Sequence, residues 1–170
     1  MKANEIKRRI EGIDLEPIKF KLSKLEGYSI DEINVVEKWY RRFLFLAWRH
    51  PSSAVVVPEP IDAMWHHHIL DTKKYADDCS RVFGDFLHHF PYFGLRGDED
   101  ARALRAAFKR TSALMDEEFG ENAADALAKL RKEWAADESA SSCSDCSGIW
   151  PAATGSLPHG ELRPRLNADA

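Results

Sequence analysis

The chain has 170 residues, of which 44% are apolar and 11% aromatic, the composition of a cored globular domain and not of a disordered chain. A formal net charge of −4 at pH 7 gives no electrostatic case for general nucleic-acid binding, which needs a basic face. No apolar run approaches the roughly 18 residues needed to span a bilayer, and the opening MKANEIKRRIEG lacks the apolar stretch of a secretory leader.

Residues 4–11 read as a short helix, with Ile6 and Ile10 four apart and lysine and arginine on the other face. In residues 13–25, Ile18, Phe20 and Leu22 alternate with lysines as a strand would. No second strand candidate of equal quality exists, so a loop or a short packed helix is expected. Ser29 followed by Glu32 is a capping-box signature. Beyond it Ile33, Val36, Tyr40, Phe43 and Ala47 keep a helical 3–4 spacing, widened by Trp39 and Leu46. Pro51 stops this helix after His50. The run Trp39-Tyr40-Arg41-Arg42 fits an amphipathic helix better than a stacking platform for nucleic acid, given the acidic total.

Residues 52–60 should be extended, because Val55, Val56 and Val57 are β-branched and Pro58 and Pro60 resist helix interiors. Pro60 suits the first turn of the next helix. That helix should run through the histidines, with a break near Asp71 and Thr72, where Asp71 could cap a second segment. Gly84 weakens it and Pro91 ends it. Asp98, Glu99 and Asp100 then open a helix with acid in its first turn. Leu104, Phe108, Thr111 and Met115 carry its stripe, and Gly120 is placed to end it. A last helix is expected over residues 122–136, with Ala126, Leu127, Leu130 and Trp134 on one face. Residues 138–170 lose periodicity and read as a disordered tail. The expected fold is a single all-α domain of about five helices over residues 1–137, with an extended Pro-containing connection before the His-rich helix.

Five of the seven histidines lie between Val55 and Gly94. Residues four apart on a helix share a face, whereas residues two apart point away from each other. His66 and His68 therefore cannot ligate one ion from a regular helix. Asp62 and His66 can meet, and Asp85 and His89 repeat the same spacing. Two helices each presenting a carboxylate and an imidazole can build a four-ligand metal site. The same pairs can instead be hydrogen bonds that fix a histidine tautomer. A second stripe, Ile61, Trp65, His68, Thr72, Tyr75, Cys79, Val82 and Phe86, marks a buried face carrying polar groups. His68 and Cys79 can share an ion only if the helix breaks at Asp71. Alone, Cys79 reads as an inert buried thiol. His88 or His89 could complete a site with His66 or His68 if the following loop folds back.

The tail contributes Cys143-Ser-Asp-Cys146 and, after twelve intervening residues, His159. A fourth zinc-finger ligand and the aromatic core of a finger are missing. With three cysteines in all and Cys79 distant from the pair, a disulfide framework is not expected, which fits a reducing cytoplasm. Phosphate-binding glycine loops, G-x-S-x-G and H-E-x-x-H are absent.

The run Asp62-Ala-Met-Trp65-His66-His67-His68-Ile-Leu70, followed by Tyr75 and Asp78-Cys79, resembles the glycine-rich domain-containing protein-like family. FGDFLHHFPYFG looks like its short bacterial members. The resemblance covers residues 30–120 and implies an uncharacterised helical domain, with Asp62, Trp65, His66, His68, Tyr75, Asp78 and Cys79 as matching positions. The chain departs from the longer members in having nine glycines and no glycine-rich segment.

The leading functional expectation is transition-metal binding through His66 or His68, a neighbouring carboxylate such as Asp62, and His88 or His89. Zinc or iron suits such ligands, and a thiolate from Cys79 would favour zinc or copper. One alternative is a protein-interaction module whose histidines build a polar core without metal. Another is a carrier of a modifiable cysteine tail. Asp–His pairs beside a tyrosine and a thiol are usable acid/base groups, but no substrate class follows from them.

Overall fold

The structure is a computed structural model that describes residues 2–120 and 148–149. Six α-helices form among these residues: α1 (Ala3–Glu11), α2 (Glu16–Lys21), α3 (Ile30–Arg49), α4 (Glu59–Leu70), α5 (Thr72–Phe83) and α6 (Asp98–Phe119). A single π turn, Leu22–Glu26, continues α2. Two short strands, β1 (His89–Phe90) and β2 (Gly148–Ile149), pair antiparallel. The all-α class expected from the sequence is what the chain adopts.

Helix α3 is the element on which α1, α4 and α6 pack. The Ser29 hydroxyl accepts the Glu32 backbone N–H at 3.3 Å, and the Glu32 carboxylate accepts the Ser29 N–H at 2.7 Å. This complete capping box fixes the helix start. One face then buries Ile33, Val36, Tyr40, Phe43 and Ala47 together with Trp39 and Leu46. α1, α4 and α6 all lie against it. Each large apolar side chain buried this way contributes about 1.5–3 kcal/mol. Arg41 ties α1 to this face. Its guanidinium donates to the carbonyls of Ile10 at 2.5 Å and Ile13 at 3.1 Å, and pairs with Glu37 at 2.7 Å. Those carbonyls lie at and beyond the end of α1, where the regular helical ladder runs out.

Within residues 13–25, Ile13, Asp14 and Leu15 are non-helical and the chain is helical from Glu16 onward, with Ile18 and Leu22, four apart, fully buried. Phe20, which made the segment look like a strand, is 63% exposed. Its alternation with lysines therefore does not describe burial.

The His-rich helix breaks at Asp71, where the backbone takes φ −86° and ψ 70°. Asp71 makes no side-chain cap. The second segment ends earlier than expected. Gly84 adopts φ 77° and closes α5 after Phe83, because a left-handed residue terminates a helix and glycine does so without a Cβ penalty. Asp85 and His89 consequently share no helix, and the predicted D-x-x-x-H pair does not form on one. The Asp85 carboxylate instead accepts the adjacent Phe86 N–H at 2.7 Å. Phe86, expected on the buried stripe, is 42% exposed for the same reason.

The extended connection before α4 buries Val55, Val56 and Val57. Thr111 of α6 accepts the Val56 N–H at 3.0 Å and donates its own hydroxyl to the Ala107 carbonyl at 3.0 Å. Gly120, at φ 64°, ends α6. The helix expected over residues 122–136 lies outside the described residues, as does the tail apart from β2. Among the described residues no helix is long and apolar enough to cross a membrane.

Thr111→Val keeps the shape of the buried side chain but strands the Val56 N–H. Stability should fall by about 1–3 kcal/mol, read as a lower urea midpoint at unchanged slope.

Candidate metal centre

Two polar clusters emerge from α4, one on each side of the helix. The first is built from Asp62 and His66, which the i,i+4 spacing places on one face. Gly84 turns the chain out of α5, and the loop that follows brings His89 on β1 to them. His66 Nδ1 lies 3.5 Å from Asp62 Oδ2, and His89 Nε2 lies 3.5 Å from Asp62 Oδ1. The two imidazoles face each other, Nε2 to Nε2, at 2.9 Å. One of these nitrogens must carry a proton and the other a lone pair. The three residues can each offer a ligand atom, all within 4.8 Å of one another.

The cluster is graded in exposure. The side chains of Asp62 and His89 are 5% and 11% exposed, while that of His66 is 48% exposed. Burial pushes the His66 imidazole below its ordinary value, and the Asp62 charge only partly opposes this. A neutral ring with a lone pair at neutral pH is the form that ligates metal. The His89 ring is seated edge-on against Trp65, with centroids 4.6 Å apart.

The second cluster holds His68 on the opposite side of α4. Because the chain kinks at Asp71, α5 folds back alongside α4. His68 Nε2 then reaches Asp78 Oδ2 at 3.0 Å, and the Tyr40 hydroxyl donates to Nδ1 at 2.8 Å. Both ring nitrogens are used, which fixes the Nε2–H tautomer. Asp78 also receives Lys74 at 2.9 Å and Arg81. Burial pushes the His68 imidazole down, with the Asp78 hydrogen bond opposing. In the same hairpin Trp65 donates its indole N–H to the Tyr75 hydroxyl at 2.9 Å, and Tyr75 donates to the Leu87 carbonyl at 2.6 Å.

The sequence-predicted ligands therefore divide. Asp62, His66 and His89 converge, whereas His68, Cys79 and His88 are not in that group. Cys79 is buried as a free thiol beside Tyr75 and the Leu87 backbone, and burial pushes its thiol up. His88 is exposed and its ring rests on Phe86 at 4.9 Å between centroids. Cys143, Cys146 and His159 lie outside the described residues. Sequence reasoning missed Tyr40 as the partner of His68, for which only long-range packing gives a signal. It also missed His67, whose Nε2 meets Glu26 Oε1 of the π turn at 3.1 Å.

Fold and site together define an all-α domain with a two-histidine, one-carboxylate group at the junction of a helix and a loop. The chain belongs to the UCP032817-like family, whose model matches residues 15–138. This replaces the glycine-rich domain-containing protein-like assignment suggested by the Trp-His and Asp-Cys motifs, since nothing in the comparisons points to that family. The motif residues Trp65, His68, Tyr75 and Asp78 are the ones that bond across the α4–α5 hairpin. These motif residues report that hairpin and do not by themselves identify the family. No curated protein and no solved structure matches the chain.

Tyr75→Phe removes the hydroxyl that serves both Trp65 and Leu87. Stability should fall by about 1–3 kcal/mol, with faster amide exchange in the loop after Gly84. Cys79 should resist alkylation at mildly alkaline pH in native Cys143→Ser/Cys146→Ser protein and react once urea unfolds it. Mass spectrometry reads both states, and rapid native labelling would contradict the burial of the thiol.

Proposed function

We propose that this protein binds one divalent transition metal through Asp62, His66 and His89. The observation that carries the reading is the convergence of three ligand atoms of the right types within 4.8 Å. Zinc and iron suit two imidazoles and a carboxylate. Two nitrogens on one tetrahedral ion, each at about 2.0–2.1 Å, stand roughly 3.3 Å apart. The present His66–His89 separation of 2.9 Å thus needs to open only slightly, and His66 has solvent on one side into which to move. Three protein ligands leave a coordination position for water or a small ligand. A cytoplasmic setting, with reduced cysteines, accords with this reading.

A second reading, an interaction module whose histidines only build a polar core, draws support from His68. Its ring is fully bonded without metal. Elemental analysis of protein purified without a histidine tag separates the two. The metal reading expects about one zinc or iron per chain, lost in His66→Ala and His89→Ala and retained in His88→Ala. Added zinc at about a hundred times its Kd should stabilise the fold by about 2.7 kcal/mol. Absence of metal together with an unchanged Tm on adding it would leave the polar-core reading standing.

A further inference from the structure

Asp62 and His66 are held by one regular helix, whereas His89 comes from an irregular segment beyond Gly84. Its placement therefore depends on what anchors that segment. One anchor is the Tyr75 hydroxyl bond to the Leu87 carbonyl. A second is the antiparallel pairing of β1 with β2, in which His89 stands opposite Ile149 and Phe90 opposite Gly148. β2 comes from a part of the chain distant in sequence from every other residue of the site. A metal ligand must be held within about 0.5 Å of its working position by the structure around it.

We propose that β2 is the positioning element for His89, so that backbone pairing of Gly148–Ile149 with His89–Phe90 sets the affinity of the Asp62/His66/His89 site for zinc. This rests on the metal reading above. The pairing uses main-chain groups, so the identity of the side chain at position 149 is not what matters. Antiparallel pairs alternate between hydrogen-bonded and non-bonded. Replacing both β2 residues by proline therefore removes whichever N–H serves the ladder.

The experiment uses the full chain. Zinc affinity is measured by competition with a chromophoric chelator for the wild type, Gly148→Pro/Ile149→Pro and Ile149→Ala. The double variant should bind zinc roughly 10–100-fold more weakly, the range seen when a ligand's supporting contacts are removed. Ile149→Ala should match the wild type, with equal helical circular dichroism in all three. Equal zinc affinity in the double variant would overturn the proposal. A wild type that binds no zinc would overturn the metal reading and this affinity role with it. Hydrogen exchange of metal-free protein tests the clamp separately. The peptide spanning residues 86–93 should exchange faster in the double variant than in the wild type, and unchanged exchange there would overturn the positioning role even if zinc binds.

Discussion

The charge on Asp78 is the constraint around which the α4–α5 hairpin is arranged. Its carboxylate is 4% exposed, and a carboxylate so far removed from water is costly unless paired and hydrogen-bonded. His68, Lys74 and Arg81 all point donors at it. Two of these lie on the same helix, at i−4 and i+3, and satisfy the charge locally. The third comes from α4, and that bond can form only because the chain breaks at Asp71. The hydrogen bond from Tyr40 to the far side of the His68 ring carries the constraint into α3. Through this relay the kink, the hairpin and the central helix specify one another.

The hairpin also determines where the candidate metal centre can be. With His68 committed to Tyr40 and Asp78, the opposite face of α4 is left to Asp62 and His66. Trp65 points between these faces. Its indole N–H is taken by Tyr75, whose hydroxyl then fixes Leu87, and its ring forms the wall against which His89 packs. His89 thus packs on an aromatic side chain that also belongs to the core. Support of this kind for a ligand ring is what a metal site requires beyond its donors.

Much of this fold was legible from local chemistry. The capping box at Ser29, the buried stripe of α3, the break at Asp71 and the Asp62/His66 pair depend on residues within one or two helical turns, where spacing alone determines proximity. The failures also share a cause. Asp85 and His89 have helical spacing but lie beyond Gly84, whose left-handed backbone outweighs periodicity. Phe20 alternates with lysines yet faces solvent, because Ile18 and Leu22 had already filled the core position. The joining of His89 to His66, and of Tyr40 to His68, depends on loop and hairpin geometry that no spacing rule encodes.

The two clusters differ in a way that bears on function. A structural polar core is most stable when every donor and acceptor is used and water is excluded. The His68 network has that character, with a buried side chain and partners on both nitrogens. At the other cluster the carboxylate lies deepest, His89 sits partly above it and His66 is nearly half exposed. The two imidazoles there meet Nε2 to Nε2 at 2.9 Å, and only one of them can donate that bond. Donors set on a buried carboxylate and opening toward solvent form the geometry in which an ion can enter, be held by protein on one side, and keep a free position on the other.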